Sequence, residues 1–140
     1  MKVSAIMTKD ARTILPDATV EQAARLMRDY HVGLLPVVEN DIIFGIVTDR
    51  DLAVRALAEG RNPHLTTIRE VMTPEALWCY EDESITEASG IMEKHHVRRL
   101  IIKNRQHKLS GVLTITDLAR RAANEKLPGH VLHRVAESSK

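Results

Sequence analysis

Two segments of this chain place a threonine three residues ahead of an aspartate where an apolar run gives way to a polar turn. They are Gly45-Ile46-Val47-Thr48-Asp49-Arg50-Asp51-Leu52 and Gly111-Val112-Leu113-Thr114-Ile115-Thr116-Asp117-Leu118. A strand that ends at Gly-x-x-Thr and turns into a helix puts Thr48 or Thr114 at the N-cap, with Asp51 or Asp117 in the first turn. Free backbone N–H groups and the positive helix end gather there and favour a phosphate. A carboxylate beside that turn can accept both hydroxyls of a ribose, as acidic residues do in dinucleotide sites. The same spacing is also a capping box, in which threonine and aspartate serve only the first N–H groups of their own helix. Both roles can hold at once.

The elements that must position these residues come in two copies. At an offset of 65, Met7-Thr8 matches Met72-Thr73, and Ala11, Asp17, Ala23, Met27, His31-Val32 and Leu35 fall on Ala76, Asp82, Ala88, Met92, His96-Val97 and Leu100. One inserted residue around Asn104 to Lys108 moves the offset to 66. Gly45, Thr48, Asp51-Leu52-Ala53 and Arg55-Ala56 then match Gly111, Thr114, Asp117-Leu118-Ala119 and Arg121-Ala122. Such self-similarity marks a duplication. The copies span 1–60 and 61–125, with a tail over 126–140.

Each copy reads as strand, helix, strand, strand, helix, an α/β unit. A short apolar stretch (Thr13 to Leu15; Leu77 to Tyr80) precedes Thr19-x-x-Gln22 or Ser84-x-x-Glu87, the signature of a helix start. Val20, Ala23, Ala24 and Met27, like Ile85, Ala88, Ser89 and Met92, then recur at helical spacing. Runs from Leu34 to Val38 and Ile42 to Val47, and from Leu100 to Ile102 and Leu109 to Leu113, predict a hairpin in each copy. Helices over Asp49 to Ala58 and Ile115 to Ala123 close the units. About 60 residues bury too little surface to be stable alone, so the expectation is a pseudo-two-fold module in which the copies pack together.

Composition bounds the function. The 140 residues carry 20 Lys plus Arg against 19 Asp plus Glu, and 28% are charged, with no long apolar run. A membrane span and a secretory leader are not expected, and a cytoplasmic location is. A net charge of +1 and 3% aromatic residues argue against nucleic acid as a partner, because such binding draws on basic residues and stacking platforms. The lone Cys79 has no disulfide partner within the chain and cannot build a zinc cage.

The repeated Gly-x-x-Thr-x-x-Asp segments, the Val-Met-Thr-like openings and the Leu35-Pro36-Val37-Val38 strand closely resemble tandem cystathionine-β-synthase (CBS) domains, the Bateman module. The resemblance covers residues 3 to 123 and is that of a stand-alone pair. It implies an adenosyl ligand (AMP, ADP, ATP, S-adenosylmethionine or a nicotinamide dinucleotide) in clefts between the copies, dimerisation into a flat disc, and a regulatory rather than catalytic role.

The copies differ where a phosphate would sit. Arg98-Arg99 precede the second hairpin, whereas Gly33-Leu34 hold the equivalent positions in the first. Arginine suits phosphate because its planar fork donates paired, charge-assisted hydrogen bonds. The second site is therefore expected to use Thr114 and Asp117 for ribose, with Arg99 and then Arg98 for phosphate. The competing reading pairs both arginines with Glu87 or Glu93. The first site would use Thr48, Asp51 and Arg50. By resemblance, adenine would lie against the first strand of a copy, Thr13-Ile14 or Trp78-Cys79, where Trp78 either stacks on a base or fills its slot. Cys79 aligns with Ile14, as core filler does.

No metal or catalytic set stands out. His31 and His96 follow their helices, where a cation complements the negative end. His95 and His96 are adjacent and do not share one helix face. His130 and His133 lack an acidic or cysteine partner nearby. The leading expectation is a noncatalytic sensor that signals to an unidentified protein partner. The alternative is a ligand-free oligomerisation or scaffold protein whose threonines and aspartates are caps alone.

Overall fold

The computed structural model describes residues 1–125, so the tail with His130, His133 and Arg134 lies outside the described residues. The chain forms two compact units. One combines Met1–Asp10 with the described residues from Leu77 onward, and the other is Ala11–Ala76. The sequence copies and the compact units thus exchange short segments. The opening of each copy is built into the sheet of the other.

In the Ala11–Ala76 unit, helix α1 (Val20–Tyr30) starts at a complete capping box. The Thr19 hydroxyl accepts from the Gln22 N–H at 3.2 Å, and the Gln22 side chain accepts from the Thr19 N–H at 2.9 Å. The helix ends at His31, which is left-handed at φ 54°, its N–H returning to the Met27 carbonyl. Strands β2 (Leu34–Glu39) and β3 (Ile42–Thr48) follow as an antiparallel hairpin. Asn40 and Asp41 both have positive φ, the conformation that a two-residue turn needs to match strand twist. Strand β4 (Thr73–Pro74) pairs with β3, and Ile14 bridges Val37 in parallel beside β2. The expected first strand is thus a single bridge. Leu35, Val37, Val47, Ile68 and Val71 are fully buried against Ala23, Met27 and Ala56. Burial of each larger side chain contributes about 1.5 to 3 kcal/mol.

The helix expected over Asp49 to Ala58 takes two forms. One α-helical turn, α2 (Asp49–Asp51), passes into a π-helix over Leu52–Leu57. The Ala58 and Arg61 N–H groups reach five residues back, to Ala53 at 2.9 Å and Ala56 at 3.0 Å. A short helix α3 (Ile68–Val71) then starts at Thr67, where Glu70 completes a further capping box.

The other unit is a four-stranded sheet in the order β1 (Thr8–Lys9), β7 (Leu109–Thr114), β6 (Arg99–Lys103), β5 (Trp78–Tyr80). Helices α4 (Ile85–His95) and α5 (Ile115–Glu125) belong to it. The core comprises Cys79, Ile85, Ala88, Met92, Leu100, Ile102, Leu113 and Leu118, with Val3 supplied by the N-terminal turn. That turn is tied down by Val3 N–H to Glu83 O at 2.8 Å and Ile85 N–H to Met1 O at 2.9 Å. At Ser84 the hydroxyl accepts from the Glu87 N–H at 3.1 Å. His96 repeats the left-handed ending of His31 at φ 55°. The inserted residue is absorbed in a loop where the Asn104 side chain accepts from the N–H groups of Gln106 and Lys108.

Gly45 and Gly111 owe their identity to these pairings. A Cβ on Gly45 would lie 2.1 Å from the Thr73 carbonyl oxygen, and one on Gly111 2.4 Å from that of Thr8. Only glycine lets β4 and β1 approach so closely.

Candidate functional site

Both Thr-x-x-Asp segments form the geometry read from their spacing. At α2 the Thr48 hydroxyl accepts from the Asp51 N–H at 3.1 Å, and Asp51 Oδ2 accepts from the Thr48 N–H at 3.0 Å. At α5 the matching distances for Thr114 and Asp117 are 3.2 and 2.9 Å. Each carboxylate therefore commits one oxygen to its own helix and keeps Oδ1 for other partners. Asp51 and Asp117 are both half-buried at the mouth of the turn. Arg50, next to Asp51, is exposed, its N–H donating to Asp49 Oδ1 at 2.8 Å.

Arg99 is the first residue of β6 and stands directly opposite Thr114 of β7. The preceding carbonyl, that of Arg98, accepts from the Ile115 N–H at 2.9 Å, which fixes the start of α5. Thr114, Asp117, Arg98 and Arg99 are thus gathered at one end of one sheet. Both guanidinium groups are exposed, and neither has an ion-pair partner among the described residues. The other unit repeats this frame with Leu34 opposite Thr48 and the Gly33 carbonyl accepting from the Asp49 N–H at 3.0 Å. A side chain on Gly33 would meet the Asp49 carboxylate at 2.9 Å. The first copy therefore presents an acid where the second presents two bases.

Thr13 and Ile14 are not gathered with Thr48 and Asp51 inside their own unit. Ile14 faces Val37 on β2, and Thr48 faces Leu34 on the far side of the same strand. One intervening strand and three residues of register separate them, about 10 Å in each direction. Ile14 is buried, and both its peptide groups are engaged, its N–H with Pro36 O and its carbonyl with Val38 N–H, each at 3.0 Å. What it can offer a base is an apolar surface. Thr13 and Ile14 line a pocket of about 600 Å³ together with Leu15, Gln22, Arg25 and Leu26.

Trp78 is 37% exposed. Its ring stands edge-on to Tyr80 at 5.0 Å and to His107 at 5.8 Å, and the Lys103 ammonium lies over it at 4.2 Å from the ring centroid. A base stacking on that face would have to displace the lysine. Cys79, next to it, is a buried core residue. Burial pushes its thiol up to about 12, with Glu83 and Glu87 adding to the effect. A thiol buried and protonated in this way is poorly reactive at neutral pH.

One residue that sequence reasoning passed over touches this site. Arg55 Nη1 lies 3.9 Å from Asp51 Oδ1, and its identity with Arg121 in the other copy was the signal available. Among the described residues no group of three or more His, Cys, Asp and Glu side chains is placed to hold a metal ion. Nor is any helix of the described residues long and apolar enough to cross a membrane.

The frame of two hairpins, each leading through Gly-x-x-Thr into an aspartate-bearing helix, defines a tandem α/β repeat. The family model of the CBS domain matches residues 3–57 and 68–124, so the chain belongs to the CBS domain family as a tandem pair. It is 35% identical over 133 residues to the CBS domain-containing protein YhcV of Bacillus subtilis, covering 95% of this chain and 94% of that one. Among solved structures, the CBS domain pair of protein MJ0100 in complex with 5-methylthioadenosine and S-adenosyl-L-methionine matches with a TM-score of 0.80. It is 25% identical, and the match covers 89% of this chain and 98% of that one. CBSX2 in complex with AMP shares the fold at a TM-score of 0.75 and 24% identity, with 90% and 98% covered.

Proposed function

We propose that this chain is a noncatalytic regulatory module that binds an adenosyl ligand at its Thr-x-x-Asp segments and reports occupancy, through its conformation, to a protein partner. The observation that carries this reading is the arrangement at α5. One oxygen of Asp117 caps the helix, the other is available to ribose hydroxyls, and two arginines without ion-pair partners among the described residues stand where a phosphate would follow. Adenosyl ligands held by related CBS pairs support it. Of the two segments, that with Thr114, Asp117, Arg99 and Arg98 is the better equipped for a phosphate. Thr48, Asp51 and Arg50 form the weaker site; Thr13 and Ile14 are not gathered with them inside that unit and offer a base apolar contact of their own.

The test is calorimetric titration of the protein with AMP, ADP, ATP, S-adenosylmethionine and NADH, repeated for Asp117→Asn. In that variant the side-chain amide oxygen still accepts from the Thr114 N–H, so the cap is retained while the second carboxylate oxygen is lost. Saturable heat with one ligand, abolished in a variant that melts normally, is the expected result. A ligand at a hundred times its dissociation constant adds about 2.7 kcal/mol of stability, so melting scans provide a second readout. No heat with any of the five sinks the proposal.

The capping boxes favour one other reading, a scaffold in which threonine and aspartate serve their helices only. Under it Asp117→Ala costs stability and changes no affinity.

We further propose that the module pairs with a second copy through the face formed by α1 and the π-helix. A groove of about 390 Å³ runs there, lined by Val20, Ala24, Met27, Ala53, Ala56 and Leu57, with Asp49 and Arg61 as its charged members. Leu57 is 78% exposed and Val54 47%. A two-fold contact must complement itself, and a face carrying small apolar residues, one acid and one base meets that requirement.

A further inference from the structure

The side chain of Arg55 closes a ring of contacts around the end of β3. Its Nη1 donates to the Met72 carbonyl at 2.9 Å, the Val71 carbonyl at 3.2 Å and the Thr73 hydroxyl at 3.3 Å, and lies 3.9 Å from Asp51 Oδ1. Thr73 pairs with Ile46 of β3, two residues before Thr48, and Thr48 exchanges both capping bonds with Asp51. Asp51, Arg55, Thr73, Ile46 and Thr48 thus form one closed circuit. Val71 and Met72 end α3, where carbonyls left without helical partners need a donor, and a cation there also suits the negative helix end. Arg55 itself sits in the π-helical stretch Leu52–Leu57, a departure from α-helix that recurs at functional positions.

The two ends of this contact differ in what they can gain. The carbonyls are held in the sheet edge and helix end. Asp51 Oδ1 is the oxygen not used by Thr48, and it is the oxygen that a ribose hydroxyl would approach. A ligand at Thr48–Asp51 and the Arg55 guanidinium therefore share one acceptor. Whatever fixes that carboxylate also fixes the arginine, and through it residues 71–73, where the chain leaves this unit toward Leu77. Such coupling is reciprocal: a ligand that tightens the segment is itself bound more tightly when the segment is in place.

We propose that Arg55 is a positioning residue that couples occupancy of the Thr48–Asp51 site to the exit segment Val71–Thr73. The inference rests on the adenosyl-binding reading and adds to it the route by which occupancy leaves the site.

The experiment is amide hydrogen exchange on the full chain, with and without saturating AMP, for the unaltered protein, Arg55→Lys and Arg55→Gln. Lysine keeps a cation of nearly the same reach, whereas glutamine is uncharged and its amide ends well short of the position that Nη1 holds between the carbonyls and Asp51. In the unaltered protein, AMP is expected to slow exchange at residues 48–52 and to slow it about fivefold or more at 71–76. Arg55→Lys preserves both effects. Arg55→Gln keeps the first and loses the second, whereas loss of a purely structural cap on α3 would speed exchange at 71–76 alike with and without AMP and leave the AMP effect in place. Equal protection of 71–76 in the glutamine variant overturns the inference, as does AMP protection confined to 114–118. Absence of any heat on titrating the unaltered protein defeats the adenosyl reading itself and takes the inference with it, and that failure is recognised before any variant is made.

Discussion

Arg99 stands opposite Thr114 across the β6–β7 ladder, and Leu34 holds the same place opposite Thr48 across β2–β3. The two helix starts are alike in their caps and unlike in the charge set beside them. Replacement of Arg99 by leucine makes the second site resemble the first. A charge-assisted contact contributes about 1.5 to 3 kcal/mol, so Arg99→Leu is expected to weaken AMP at least about tenfold while leaving adenosine unchanged. Calorimetry with both ligands checks this. An equal loss for the two ligands would remove the phosphate role.

The caps make a prediction independent of any ligand. Thr48→Val and Thr114→Val each delete a hydroxyl that accepts an N–H at 3.1 to 3.2 Å. Each should cost about 1 kcal/mol, read as a lower midpoint in urea. A cost near zero at either position would mean that the cap is not formed in solution.

Gly45→Ala and Gly111→Ala should be far more damaging than their small size suggests. The added Cβ meets a backbone carbonyl rather than a flexible side chain, at 2.1 and 2.4 Å, and backbone must move. A loss of about 3 kcal/mol or more is expected from each. Circular dichroism melts decide it, and a loss under about 0.5 kcal/mol would contradict the close strand approach.

Cys79 gives a pH signature. Its thiol is pushed up to about 12 in the folded chain from an ordinary value of 9.0. Between those values the unfolded chain releases a proton that the folded one retains. The unfolded state is then favoured progressively, and stability falls as pH rises from 9 toward 12. Urea midpoints at pH 8, 9.5 and 10.5 should decline, and Cys79→Val should decline less. The thiol should also resist iodoacetamide at pH 8 until the protein is unfolded; rapid native labelling would refute its burial.

The self-pairing face is tested by Leu57→Glu. A carboxylate in the middle of an apolar contact should convert a dimer to a monomer in light scattering without lowering helix content. A monomeric unaltered protein, or a variant that still pairs, would exclude this face.

Much of this architecture was legible because its signals are local. The Thr19 and Thr48 boxes, the apolar runs of both hairpins and the inserted residue near Asn104 each act within a few residues. The partner of Ile6-Met7-Thr8 is a different matter. Nothing in that segment says which sheet it joins, and the answer depends on Gly111, more than a hundred residues away. The π-helix was hidden because six residues such as Leu52–Leu57 fit a helical period of either width. Arg55 was visible as a repeated identity, but its partners at Val71 to Thr73 come from folding and not from spacing. The Thr67-x-x-Glu70 start of α3 was readable and was missed among the stronger signals around it.

The strand Thr8–Lys9 completes the sheet of the unit that begins again at Leu77, with Ala11–Ala76 lying between them in the chain. One unit is therefore an insertion within the other. During synthesis, the inserted unit has all of its residues once position 76 has left the ribosome, whereas Thr8 and Lys9 must wait for Gly111 and Val112 to emerge. Thr8–Lys9 thus spends that interval as an unpaired strand, and the outer unit is the last to close. Removal of residues 1–10 would expose the edge of β7, so damage at the start of the chain is felt in the half made last.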